Sequence, residues 1–256
     1  MLSYRGILFP FWWRINDHEK WTVFTPGRFD RSKPVPAFQR SSYADDLQHN
    51  VVSVFDPMLL RSKNLPLGWF IGVRNLDFAS MLSDLVVMMS DELGFSSSDL
   101  LIYGSSGGGI PALRVATKMP ECSLYLSNIQ TDPRRYYPRF YRQMAKVAFG
   151  SLSDEHIERD YGNRLSSYDW DGQFTLNLAQ NVHDKFHYEN HFLPYVVAHT
   201  SGQWTRTANF LVYDDPESGH AVLPRSIELQ IIGAVHRGES PRDLLPRGAV
   251  FDVETV

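Results

Sequence analysis

Cysteine is nearly missing from this sequence: its 256 residues contain one, Cys122. A single thiol excludes an internal disulfide and any zinc cluster built on cysteines, and it agrees with a reducing, cytoplasmic location. Positive charge is not in excess either. Lys and Arg number 25 against 29 Asp and Glu, a formal charge of −4, which argues against a general polyanion binder and against nucleic acid as a partner. No stretch approaches the roughly 18–20 consecutive apolar residues that cross a bilayer. The apolar run Ile7–Trp13 is interrupted by Pro10 and reaches Arg14 and Asp17 with no small-residue cleavage site, so it is expected to form a strand rather than a signal peptide. Aromatic residues, by contrast, are plentiful. The 16 Phe, 12 Tyr and 6 Trp make up 13% of the chain, enough for a heavy core and for an aromatic-lined binding surface as well.

Apolar runs of strand length alternate with longer amphipathic stretches, the pattern of a mainly parallel sheet covered by helices. Strands are expected at Arg5–Phe9, Trp21–Thr25, Val51–Phe55, Trp69–Val73, Leu100–Tyr103, Ser123–Ser127, Thr175–Ala179 and Asn209–Tyr213. Helices are expected at Phe78–Leu93, Gly108–Lys118, Pro133–Phe149 and Pro224–His236. No repeat, low-complexity tract or linker divides the chain. The expectation is one α/β domain over residues 1–256, with a helical cap inserted at about residues 132–170. In such sheets function collects at the carboxyl ends of the strands.

One segment there carries chemistry. Gly104, Ser106 and Gly108 form Gly-x-Ser-x-Gly between an expected strand and an expected helix. A serine forced into a sharp strand-to-helix turn needs small residues two positions before and after it, because those backbones nearly touch. Ser106 meets that requirement; Ser105, with Tyr103 two residues earlier, does not. A serine hydroxyl is a weak nucleophile until a base takes its proton, and the base must itself be oriented by a carboxylate. His220 follows the expected strand ending at Tyr213, and Asp184 follows the strand ending at Ala179, giving the order serine, acid, histidine. Asp132, Asp214 and Asp215 are rival acids. Backbone N–H groups must also meet the developing oxyanion. Gly107, next after the serine, is one candidate, and Arg28, in the turn Pro26-Gly27-Arg28-Phe29 after an early strand, is the other.

With these residues in place the chain resembles the α/β-hydrolase superfamily, whose serine enzymes transfer acyl groups through a serine ester. It is also similar to the branch of that fold found in bacterial surface-glycan and accessory-secretion proteins, in which an elbow serine is followed by Asn-x-x-Asp-x-x-His, here Asn181, Asp184 and His187. The resemblance implies an α/β-hydrolase fold and a small-molecule or glycan ester as substrate. It implies hydrolysis of a carbohydrate-type O-acetyl ester first, and transfer from acetyl-coenzyme A to a surface polysaccharide second. No other cofactor is expected. A non-catalytic glycan-binding or secretion-accessory module is the reading from a different class. The chain lacks the His-Gly-Gly-Gly loop of lipases and esterases, which counts against a lipase.

Other patterns weigh less. Gly107-Gly108-Gly109 with Asp132 imitates a dinucleotide fingerprint, but the two preceding serines and Pro111 fit it poorly. His183, His187 and His191 recur every four residues and would share one face of a helix, yet no bound metal is expected. The basic, aromatic run from Asp132 to Lys146 places Arg134, Arg135, Tyr136 and Tyr137 directly after a strand end, where guanidinium forks and aromatic faces would seat an anionic or sugar-like substrate. Oligomeric state is not legible.

Overall fold

The computed structural model describes residues 1–251. β1 (Leu2–Tyr4) and β2 (Ile7–Phe9) form a small antiparallel ribbon beside the main sheet. That sheet is built from β3 (Phe11–Arg14), β4 (Trp21–Thr25), β5 (Asn50–Val54), β6 (Leu100–Ser105), β7 (Ser123–Ser127), β8 (Thr175–Asn181), β9 (Thr207–Tyr213) and β10 (Ala249–Val250). Its order is β10-β9-β8-β7-β6-β4-β5-β3. The six inner strands run parallel, and β3 and β10 close the two edges antiparallel. Strands β4, β5 and β6 are buried at every position, as strands covered on both faces must be.

Helices α1 (Phe78–Leu93), α2 (Gly109–Ala116), α3 (Pro138–Phe149), α4 (Asp154–Leu165), α5 (Lys185–His187), α6 (Leu193–Thr200) and α7 (Arg225–His236) surround the sheet. The Asp77 carboxylate caps α1 by accepting from the Ser80 N–H, and Gly94, at φ 68, ends it; such a cap is worth about 1 kcal/mol. The apolar faces of α1, α2 and α3 fill one core with residues such as Leu82, Leu113 and Met144. Helix α7 fills a second core, Ile231, Ile232 and Val235 packing with Leu101, Tyr103 and Tyr125. The stretch between β7 and β8 carries a 3-10 turn (Pro133–Arg135), α3 and α4.

Three local expectations fail for identifiable reasons. Trp69–Val73 is a turn rather than a strand: Trp69 and Phe70 sit at φ 51 and 55, and the Phe70 N–H donates to the Asp56 carboxylate instead of a ladder carbonyl. The run Arg5–Phe9 contributes only the ribbon strand β2, because Arg5 and Gly6 both turn at positive φ; the edge of the main sheet is the following segment, β3. Pro133–Phe149 is two helical pieces, since Pro138 excludes Tyr137 from helical geometry and leaves it at ψ 126.

Candidate active site

The site is centred where β6 runs into α2. A Cβ at Gly104 would lie 2.8 Å from the Gly108 carbonyl oxygen, and one at Gly108 would lie 2.5 Å from the Thr25 carbonyl oxygen. Neither position has room for a side chain. Pinched between them, Ser106 adopts φ 52, a left-handed conformation that costs a non-glycine residue about 1–3 kcal/mol and persists only where the surroundings enforce it.

The acid comes from the end of β8. The Asn181 side chain donates to the carbonyl oxygens of Asp215 at 2.7 Å and Gly219 at 2.9 Å, and accepts from the N–H groups of His183 and Asp215, each at 3.2 Å. One residue thereby ties the loop that carries Asp184 to the loop that carries His220. Asp184 Oδ2 lies 2.6 Å from His220 Nδ1, and His220 Nε2 lies 3.2 Å from Ser106 Oγ. Residues 106, 184 and 220 therefore meet in one place. The imidazole of His220 is 40% exposed and the Asp184 carboxylate 6%, so the ring is open to the cleft while water barely reaches the carboxylate. Burial alone would raise the Asp184 pKa; the hydrogen bonds from His187 and His220 more than reverse this and hold the carboxyl well below its ordinary range.

The rival acids are engaged elsewhere. Asp132 pairs with Arg134, Asp214 lies 2.7 Å from His183 and 2.9 Å from Arg247, and Asp215 accepts from the backbone of Glu217 and Ser218. Of the three histidines at four-residue spacing, His187 and His191 keep neighbouring rings, with centroids 5.4 Å apart, and His183 lies apart from them. Helix α5 gives way to a π-helical turn, Tyr188–Phe192; His183 turns to Asp214, and His191 Nδ1 accepts from the Thr131 N–H at 3.3 Å. His187 joins Asp184 instead, its Nδ1 3.0 Å from Oδ1. Among the described residues, Asp184, His187 and His220 form the one group of three whose ligand-type atoms lie within 4.8 Å of one another, but the two imidazoles already aim Nδ1 at the same carboxylate.

In the turn after β4, the Gly27 N–H donates to Gln39 Oε1 at 3.0 Å and the Phe29 N–H donates to the Pro66 carbonyl at 2.7 Å. Among the described residues no acceptor takes the Arg28 N–H between them. Gln39 also donates from Nε2 to the Arg28 carbonyl at 3.0 Å, so one amide side chain fixes both sides of the Gly27–Arg28 peptide. Nothing in the sequence marked Gln39 for this. Gly27 itself is pressed on the elbow, where a Cβ would lie 3.1 Å from the Ser105 carbonyl oxygen. Gly107 begins the turn into α2 directly behind Ser106. Below the elbow, Arg40 lies 3.0 Å from the buried Glu228 and donates to Ser105 Oγ at 3.1 Å, linking the loop of Gln39 to α7.

A cleft of about 220 Å³ opens at Ser106 and His220, lined also by Gly27, Arg28, Gln39, Asn128 and Val222. The four substrate-binding candidates on the segment after β7 lie beside this cleft rather than in its lining. The Arg134 guanidinium is taken up by Asp132 and Glu158. Arg135 is exposed and lies over the Tyr168 ring at 5.6 Å. Tyr136 is buried edge-on to Trp69, and Tyr137 stacks on Phe186 at 4.2 Å. The cation at the cleft is Arg28, whose side chain lies over Phe140 of α3. Gln130, three residues beyond β7, carries no sequence motif, yet its Nε2 donates to Ser106 Oγ at 3.0 Å.

No protein-family model matches the chain, and no curated protein matches it in sequence. Solved structures match it in fold. The capsule O-acetyltransferase of Neisseria meningitidis serogroup A covers 92% of this chain and 96% of its own, with a TM-score of 0.64 and 11% identity. An S-formylglutathione hydrolase from Agrobacterium tumefaciens covers 91% of each chain, with a TM-score of 0.60 and 15% identity. A glycosylation-associated protein complex from Streptococcus agalactiae covers 84% of this chain and 42% of that one, with a TM-score of 0.61 and 15% identity. These likenesses establish an α/β-hydrolase fold, a mainly parallel sheet flanked by helices, as the resemblance implied.

Proposed function

We propose that this chain, an α/β-hydrolase in fold, performs serine-dependent acyl transfer at an ester. His220 Nε2 takes the Ser106 proton as Oγ bonds to the ester carbonyl carbon; the carbonyl π electrons move to oxygen, facing the N–H groups of Gly107 and Arg28. Collapse of that intermediate expels the alcohol, which leaves with the proton held by His220, and an acyl-Ser106 ester remains. Water or an acceptor hydroxyl then repeats the sequence in reverse. Asp184 keeps Nδ1 protonated throughout, so Nε2 is the nitrogen that takes up and returns the proton. The observation that carries this reading is a strained serine at φ 52 with His220 Nε2 3.2 Å from its oxygen and Asp184 2.6 Å behind.

Hydrolysis of a carbohydrate-type O-acetyl ester is the first form of the proposal, in a cytoplasmic protein that needs no cofactor. Acetyl transfer to a surface polysaccharide is the second form, with acetyl-coenzyme A as donor. It is favoured by the near end-to-end match to a capsule O-acetyltransferase, a variant of which was solved in complex with coenzyme A. The exposed Arg28 at the cleft suits an anionic group on either substrate. Incubation with O-acetylated sugars, and separately with acetyl-coenzyme A with and without sugar acceptors, tests the proposal. Acetate release that disappears in Ser106→Ala supports hydrolysis, and acceptor-dependent release of coenzyme A supports transfer. Glycan binding with neither release would make the chain an accessory module and overturn the enzymatic reading.

A further inference from the structure

Donor and acceptor chemistry fixes every proton around Ser106. The Trp69 indole N–H can only donate, and it lies 2.6 Å from Gln130 Oε1, so the Gln130 amide oxygen faces Trp69 and its nitrogen faces the site. That nitrogen lies 3.0 Å from Ser106 Oγ and 3.3 Å from His187 Nε2. An amide nitrogen has no lone pair to offer, so His187 Nε2 is the bare, accepting nitrogen and the ring proton sits on Nδ1, donating to Asp184 Oδ1 at 3.0 Å. Asp184 receives the His220 N–H on its other oxygen, and Ser106 donates to His220 Nε2. The five side chains close a ring: Ser106, His220, Asp184, His187, Gln130 and back to Ser106. Trp69, Gln130 and His187 are 1%, 0% and 2% exposed, so water does not compete for these bonds. The backbone pins the ring as well, since the Gln130 N–H donates to the Ser106 carbonyl at 3.0 Å. The two imidazoles lie face to face, centroids 3.9 Å apart and planes 9° apart.

We propose that Gln130 is a further catalytic residue, an N–H donor to the nucleophilic oxygen itself, and that His187 is a positioning residue that holds Gln130 and Asp184 in the productive arrangement. This rests on the reading of Ser106 as the nucleophile. As His220 draws the proton away and the new Oγ–C bond forms, negative charge passes through Oγ, and a hydrogen bond to that oxygen strengthens with the charge. In the acyl-serine ester Oγ is a poorer acceptor, so the bond is strongest during the reaction rather than after it. His187 supports the same step by donating a second N–H to Asp184 while remaining neutral. A second imidazolium stacked on His220 would oppose the charge that His220 must acquire, and burial keeps the His187 pKa below its usual value against the pull of Asp184.

The test is the rate at which a fluorophosphonate labels Ser106 in wild type, Gln130→Met and Gln130→Glu, with Ser106→Ala as the blank, each checked for folding by thermal unfolding. Gln130→Met should slow labelling about 10- to 100-fold, at or below the roughly 100-fold lower bound for loss of one oxyanion donor. Gln130→Glu should be slowed as well, because it keeps the shape and the acceptor for Trp69 but offers no N–H at neutral pH. Nitrogen-15 NMR of wild-type histidines is independent of any variant's folding and should show His187 protonated at Nδ1 and bare at Nε2. A His187 protonated at Nε2, or both Gln130 variants labelling at the wild-type rate, would overturn the inference alone. Labelling in wild type that persists in Ser106→Ala, or none in wild type, would remove the nucleophile reading and this inference with it.

Discussion

Each end of the central sheet carries a pair of touching imidazoles, and the two pairs are built differently. At the carboxyl ends of the strands His187 and His220 stack on each other, and each aims Nδ1 at one oxygen of a carboxylate, Asp184. At the opposite end His49 and His236 meet with ring centroids 4.6 Å apart around a hydroxyl, that of Thr22, which lies 2.8 and 2.9 Å from their Nε2 atoms. A carboxylate accepts an N–H from both rings and offsets positive charge. A hydroxyl donates to one ring, accepts from the other, and offsets none. Burial therefore pulls His49 down to about 4 and His236 down to about 3. The first pair shares an anion that can offset positive charge, and the second is held neutral as part of the folded frame.

Asp184→Asn should break the comparison most severely. The amide can present an N–H to His220 Nδ1, which favours the wrong tautomer, and turnover should fall by about 10⁴-fold. Steady-state kinetics on an ester that wild type turns over measures this, and a loss below tenfold would contradict the role given to Asp184. The next effect is on stability. His49 and His236 are neutral in the fold at pH values where the unfolded chain, with histidine near 6.5, is protonated. Stability contributed by the pair is complete above about 6.5 and is lost as pH falls through the window down to the folded values. Urea midpoints measured from pH 8 to pH 4 should decline below about 6.5, and His49→Phe should flatten part of that slope; a level profile would contradict the assignment. Thr22→Val sharpens the contrast with the smallest effect. It leaves ring nitrogens at both histidines without a partner, costing about 1–3 kcal/mol, while fluorophosphonate labelling of Ser106 should proceed at the wild-type rate.

How much of this was legible follows from where the information sits. Ser106 was readable because its requirement is local: Gly104 and Gly108 lie within two residues of it, and the structure shows both packed too tightly for a side chain. Asp184 and His220 were readable because topology places them after successive strands in a fixed order. Gln130 and Trp69 were not, since their partnership joins residues 61 positions apart through a turn whose apolar composition imitates a strand. Periodicity sees Trp69–Val73 as five apolar or small residues and cannot see Asp56 claiming the Phe70 N–H. In the basic run after β7, composition does not tell which cation stays free: Arg134 folds back on Asp132 only two residues away, Arg135 stays exposed, and the cation lining the cleft is Arg28.

Intact-mass analysis after fluorophosphonate treatment tests the central claim most directly. Wild type should gain a single adduct on the peptide that contains Ser106, and His220→Ala should gain it far more slowly at the same pH. An adduct that forms equally fast without His220, or that maps to another residue, would contradict a serine at position 106 activated by that imidazole.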